Sequence, residues 1–168
     1  QWTDSLAEIV KNIFEILCRY SEKAVLNNTS KSQDFFKLLY ETMVPAAVRH
    51  SLGEYYTRKW LAQNVVDEAI NLSKVEEWKG LDPCCGSGTF LNVMIDRVLY
   101  EEQEKSNEEK LEDVLQRVKG IDLNPIAVLT ARVNYFINIS HLICDNRPID
   151  IPVYLGDSSY VPKTIEYD

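Results

Sequence analysis

The chain has 168 residues, 45% hydrophobic and 26% charged, proportions that fit a globular fold and exclude a disordered tail, a collagen-like fibre and a low-complexity linker. Lys and Arg number 18 against 26 Asp and Glu, giving a net charge of −8, the wrong sign for a surface that grips nucleic acid. Either nucleic acid is not the partner, or the basic surface lies outside these residues.

In chain order, apolar residues first recur at helical spacing over residues 4–26, from Leu6, Ile9 and Val10 to Leu17 and Tyr20. Asn27-Asn28-Thr29-Ser30 breaks that pattern. A second helix is predicted from Ser32 to about His50, with Phe35, Phe36, Leu38, Leu39 and Met43 on its apolar side and a kink or end at Pro45. After the loop Leu52-Gly53-Glu54-Tyr55-Tyr56-Thr57, a third helix is expected over Arg58 to Asn71, with Thr57 as its N-cap. The texture changes at residue 78. Trp78 to Pro83 reads as a short strand, and Ser87-Gly88-Thr89-Phe90-Leu91 opens a helix running to about Gln103. Glu101 to Asp113 holds seven acidic residues against Lys105 and Lys110, the composition of a solvated helical hairpin face. Val118 to Asp122 is a second strand, Asn124-Pro125 starts a helix through Val128, Ala131, Tyr135 and Ile139, and Ile151 to Leu155 is a third strand. Strands and helices alternating at these spacings imply an α/β fold around a parallel sheet. The domain reading is a helical subdomain over residues 1–75 and an α/β core over 76–168.

No run approaches the ~20 apolar residues of a membrane-spanning helix, and no signal-peptide pattern opens the chain. The start at Gln1-Trp2 and the stop at Tyr167-Asp168 read as a piece cut from a longer polypeptide. The four cysteines, Cys18, Cys84, Cys85 and Cys144, contain no CxxC pair. Zinc and a disulfide framework are therefore not expected, and free thiols point to a reducing cytoplasm.

Ligands of such sheets bind outside the carboxyl ends of the strands. Asp82 ends the first strand, and Cys84-Cys85-Gly86-Ser87-Gly88 forms a tight turn in which Gly86 and Gly88 can take positive φ. Asp122 ends the second strand, where a carboxylate can accept both hydroxyls of a ribose. Asp157 follows the third strand, within reach of an adenine amino group. A dinucleotide fingerprint would need a third glycine where Leu91 stands, and a pyrophosphate would be a poor neighbour for Asp82. A cationic ligand with an amino acid end and an adenosine suits these residues, which describes S-adenosylmethionine. Cys84 and Cys85 have no His or Asn constellation to activate a nucleophile. Phe90, His50 and His141 read as structural, and Trp2 and Trp78 as covers of core edges.

Asp82-Pro83-Cys84-Cys85-Gly86-Ser87-Gly88-Thr89-Phe90 resembles the D-P-x-C-G-S-G-x-F motif of adenine-specific DNA methyltransferases. Gly120-Ile121-Asp122-Leu123-Asn124-Pro125 resembles their second cofactor motif, and Gly53-Glu54-Tyr55-Tyr56-Thr57 their upstream G-x-Y-Y-T-P motif. Ile151 to Ser158 resembles the segment leading to the third. The four stand in the family's order, and the large modification proteins of restriction–modification systems are the nearest likeness. The resemblance implies a partial Rossmann-like class I methyltransferase sheet and transfer of a methyl group from S-adenosylmethionine to adenine N6 in DNA. It implies cofactor contacts from Tyr55, Tyr56 and Thr57, from Asp82, Pro83, Cys84, Gly86 and Gly88, and from Asp122, Leu123 and Asp157. No metal is implied. The implied partners are double-stranded DNA, through regions beyond this chain, and restriction or specificity subunits.

Three departures stand out. The proline of the upstream motif is Arg58. Asp122 lies about 40 residues after Asp82, against the usual ~20 from glycine turn to acid, so residues 101–117 are expected to be a surface insertion. No N-P-P-[YF] occurs in the chain. In the family that tetrapeptide binds the target amine and stacks on the flipped base, so these residues include no catalytic group and are not expected to methylate DNA alone. The competing readings are a methyltransferase acting on RNA, protein or a small molecule, and a non-catalytic cofactor-binding module.

Overall fold

A computed structural model describes residues 57–144 and 148–160. The two N-terminal helical patterns, Tyr55 and Tyr56 lie outside the described residues.

The first described helix, α1 (Lys59–Ser73), begins one position later than expected. Arg58 is its N-cap, with φ −70° and ψ 142°, and no side chain caps it. The Arg58 carbonyl accepts the Leu61 and Ala62 N–H groups at 3.0 and 3.1 Å, so Thr57 sits out of register for the predicted cap. Ala62 and Val66 are its buried residues. The helix lies against α2 (Thr89–Glu101), with Lys59–Asp96 and Arg97–Asp67 ion pairs along the seam.

Three strands, β1 (Gly80–Asp82), β2 (Val118–Asp122) and β3 (Val153–Leu155), form a parallel sheet in the order β1-β2-β3. The fold is therefore α/β, a partial Rossmann-like arrangement. The middle strand follows its sequence pattern residue for residue. The outer two are shorter than expected. Trp78 is buried just before β1 begins, and Pro152 has no N–H to donate to a ladder, although its carbonyl still accepts the Gly120 N–H at 3.0 Å. In register, Gly80 faces Val118, Asp82 faces Gly120, Gly120 faces Val153 and Asp122 faces Leu155. These residues share one side of the sheet. There α2, α3 (Asn107–Arg117) and α4 (Pro125–Ile139) cover it with a core that includes Leu91, Ile95, Val98, Leu111, Val114, Tyr135 and Ile139. Among the described residues the other side is bare, with Leu81 57% and Tyr154 46% exposed.

The entry to α4 follows its sequence signals. Asn124 is the N-cap, its side-chain oxygen accepts the Ile126 N–H at 2.9 Å, and Pro125 occupies the first turn. Tyr135 is fully buried, its hydroxyl 3.0 and 3.1 Å from the carbonyl oxygens of Val114 and Val118.

The acidic stretch is a helical hairpin with Glu104, Glu108, Glu109 and Glu112 exposed, as expected, but its first two acids have a second role. Ser106 and Glu109 form a capping box that starts α3, and Leu111, Val114 and Arg117 of that helix are buried. Glu101 and Glu102 turn toward Arg117 rather than to water. Arg117 donates to Glu101 at 2.7 Å, to Glu102 at 3.1 Å and to the Trp78 carbonyl at 3.0 Å. Its guanidinium carbon stands 4.5 Å from the centre of the Trp78 ring, and the indole N–H points at the Glu101 carboxylate, 2.9 Å from Oε2. Burial disfavours the Glu101 charge, but hydrogen bonds from Arg97, Arg117 and Trp78 outweigh it and leave its pKa below the ordinary value. Two carboxylates of the acidic run thus neutralise a buried arginine.

Replacing Arg117 by Ala removes one partner each from Glu101 and Glu102 and takes the guanidinium donor from the Trp78 carbonyl. We expect a loss of roughly 2–4 kcal/mol in urea unfolding, slightly under the range for a fully buried pair because the carboxylates keep some solvent. Arg117→Lys, which keeps charge but not the planar fork, should recover only part of it. A change under ~0.5 kcal/mol would show that the network is incidental.

Candidate functional site

Parallel register brings the ends of β1 and β2 side by side, so Asp82 and Asp122 leave the sheet at the same edge. The chain between β1 and α2 closes there in a turn tied down at successive peptide groups. The Cys84 N–H donates to Asp82 Oδ1 at 3.2 Å. The Cys85 N–H donates to the Ile121 carbonyl at 3.0 Å. The Gly86 N–H donates to Asp122 Oδ2 at 2.8 Å. The Gly88 N–H donates back to the Cys85 carbonyl at 2.8 Å. Asn134, from α4, donates its side-chain N–H to the Ser87 carbonyl at 2.9 Å.

Gly86 and Gly88 have φ of 53° and 89°, the left-handed region that costs an L side chain roughly 1–2 kcal/mol. Their surroundings differ. A Cβ on Gly88 would touch Ala131 at 3.4 Å, whereas one on Gly86 would meet nothing within 4 Å. Gly86 therefore borders open space at the mouth of the sheet. Beneath the turn, Gly120 lets it come close: a Cβ there would stand 2.8 Å from Leu91 Cδ1 and 3.2 Å from the Cys85 sulfur.

The two carboxylates differ in setting. Asp82 is half-buried, and burial raises its pKa above the ordinary 3.8; the Cys84 N–H offsets part of this and the Asp122 charge adds to it. Asp122 divides its oxygens, Oδ2 toward Gly86 and Oδ1 toward the Asn124 N–H at 2.8 Å. Paired negative charge around bare backbone suits a cation with adjoining hydroxyl groups better than a phosphate. Cys85 is buried, and burial together with the charges of Asp82 and Asp122 pushes its thiol up to about 12. It stays protonated at neutral pH and packs, as expected of a residue that is no nucleophile.

The remaining candidates lie around this edge in different ways. Pro83 and Cys84 are exposed, and the Cys84 sulfur stands 3.9 Å from the Ser158 hydroxyl, so the segment after β3 reaches the glycine turn. Leu123 is 71% exposed beside Asp122, an apolar surface at the mouth. Asp157 is exposed and closes its own turn, accepting the Ser159 N–H at 2.9 Å and the Ser159 hydroxyl at 2.6 Å. The structure thus gives Asp157 a local partner. Thr57 is half-buried at the entry to α1, while Tyr55 and Tyr56 lie outside the described residues. Phe90 packs against the core.

Asn134 was not among the residues singled out in the sequence. Its signal was there: Asn134 and Asn138 are polar residues four apart on the side of α4 that carries Ala131 and Tyr135, and both are buried. Among the described residues, no group of three or more His, Cys, Asp or Glu could hold a metal ion, and no helix is long and apolar enough to cross a membrane.

Residues 31–155 match the family model described as N-6 DNA methylase. The match spans well over half of the chain, and the chain belongs to that family. No curated protein and no solved structure matches it.

Asp82 gives a pH-dependent test of this site. Its folded pKa lies above its unfolded value, so ionised Asp82 opposes folding. Stability is least affected while Asp82 is protonated in both states and falls as pH rises through the raised value. Asp82→Asn, which keeps an oxygen for the Cys84 N–H, should therefore raise the melting temperature at neutral pH, with the gain shrinking toward acid. A melting temperature that falls equally at all pH values would place the carboxylate in a stabilising role instead.

Proposed function

We propose that this chain is the S-adenosylmethionine-binding part of a DNA adenine methyltransferase of a restriction–modification system, acting in the cytoplasm on double-stranded DNA. The glycine turn strapped between Asp82 and Asp122, in a member of the N-6 DNA methylase family, carries this reading. The open space over Gly86 fits a ligand laid against backbone. The two carboxylates fit its positive charge and its hydroxyls. When bound, S-adenosylmethionine supplies an electrophilic methyl group on a sulfonium.

The residues then have distinct tasks. Asp82 faces positive charge that water would otherwise solvate, and ionises more readily for it. Asp122 keeps the Gly86 N–H and still has oxygen lone pairs for ribose hydroxyls. Pro83 and Cys84 form the wall after β1, and Leu123 offers an apolar face to the adenine, opposite the segment that carries Asp157. Tyr55, Tyr56 and Thr57 close the methionine end from the upstream loop. The 1–75 segment serves as the helical support and 76–168 as the cofactor core. DNA contact and recognition of the target base fall to other regions, because −8 net charge offers little counterion release and no N-P-P-[YF] is present. Restriction and specificity subunits are the expected partners of the assembly.

Isothermal titration with S-adenosylhomocysteine tests the proposal. The wild-type chain should bind it, and Asp122→Ala should weaken binding by ~1.5–3 kcal/mol, as for a lost charged hydrogen-bond partner. Unchanged affinity would remove Asp122 from the site. Incubated with labelled S-adenosylmethionine, the chain alone should transfer no methyl groups to duplex DNA. Transfer above a protein-free blank would mean that these residues hold the catalytic machinery after all.

A further inference from the structure

We propose that Asn134 is a positioning residue for the cofactor turn, holding the Ser87–Gly88 peptide plane in its binding conformation from beneath. The inference rests on the cofactor reading above for its functional consequence, but its structural basis is independent.

The Ser87–Gly88 peptide is held at both ends. Its carbonyl accepts the Asn134 side-chain N–H at 2.9 Å, and its N–H donates to the Cys85 carbonyl at 2.8 Å. Gly88 follows at φ 89°, and its own carbonyl receives the first helical bond from Asn92 at 2.9 Å. A peptide that leads into a glycine rotates more easily than one between two residues with side chains. Rotating this one would break both hydrogen bonds and disturb the start of α2. The Asp122 clamp acts earlier in the turn, on the Gly86 N–H, and Asn134 brings a side-chain hydrogen bond to its second half.

Asn134 is also retained at a cost. It is 2% exposed, and its side-chain oxygen has no hydrogen-bond partner among the described residues. An apolar side chain of similar size would avoid that buried orphan. The neighbouring amides make a contrast. Asn138 donates to Asn92 at 2.8 Å, a side-chain bond that joins α4 to α2 without the turn backbone. Asn134 spends its one good hydrogen bond on the backbone of the turn. Packing alone does not account for that choice; holding the turn does.

Asn134→Leu and Asn138→Leu in the full chain separate the two roles, read by titration with S-adenosylhomocysteine, by thermal melting and by amide hydrogen exchange at Gly88. Asn134→Leu should lower affinity about tenfold, the equivalent of ~1.4 kcal/mol, and strip exchange protection from the Gly88 N–H at little cost in melting temperature. Asn138→Leu should lower the melting temperature while leaving affinity within about twofold. The inference is overturned if Asn134→Leu keeps its affinity, or if both variants lose affinity in step with stability. A wild-type chain that takes up no S-adenosylhomocysteine overturns the cofactor reading instead. Gly88 exchange then decides the clamp alone: lost protection in Asn134→Leu upholds it, and retained protection refutes it.

Discussion

The Asp122 carboxylate accepts the Gly86 N–H with one oxygen and the Asn124 N–H with the other, both at 2.8 Å. One side chain therefore sets the turn after β1 and the entry to α4 together. The backbone of the same residue accepts the Gly156 N–H at 3.0 Å, past the end of β3. The loops at all three carboxyl ends are thereby referred to a single residue of the central strand. Ionised acceptors make stronger bonds than neutral ones, which is why a carboxylate serves here better than an amide would.

This arrangement places electrostatic tension at the mouth of the sheet. Burial, with the Asp122 charge adding to it, raises the cost of ionising Asp82, and burial together with both carboxylates holds Cys85 beneath them neutral. Much of the described remainder works to keep that edge rigid. Leu91 and Cys85 press on Gly120 from one side. Tyr135 ties α4 to the junction of α3 and β2. A local patch of unfavourable charge persists only where surrounding structure holds it, and such patches are where ligands gain differential binding.

Much of this was legible in the residues. Val118 to Asp122 alternates and stops as a strand should, Asn124-Pro125 announces a helix, and glycines four and six residues past an aspartate point to a turn with left-handed backbone. What was not legible depends on tertiary partners. Thr57 is a better capping residue than Arg58 by type, yet chain direction at the helix entry decided the matter. A run of acids looks the same whether it faces water or a buried arginine, and only the fold brings Arg117 and Trp78 to it. The pairing of Asp122 with Gly86 joins residues 36 apart in sequence. No local pattern encodes it, although each partner could be named beforehand.

The Arg117–Trp78–Glu101 network has a consequence for how the molecule assembles. Gly80 must find Val118 across the whole of α2 and α3, and the entropic cost of closing a loop grows with its length. Trp78 and Arg117 stand at the two ends of that excursion, and Glu101 near its middle binds both. The α2–α3 hairpin, nucleated by its own capping box, can thus gather the strand ends before the strands pair. The extra helix that separates glycine turn from acid in sequence brings its own device for shortening the search. A long parallel crossover, ordinarily slow to form, becomes a sequence of short closures.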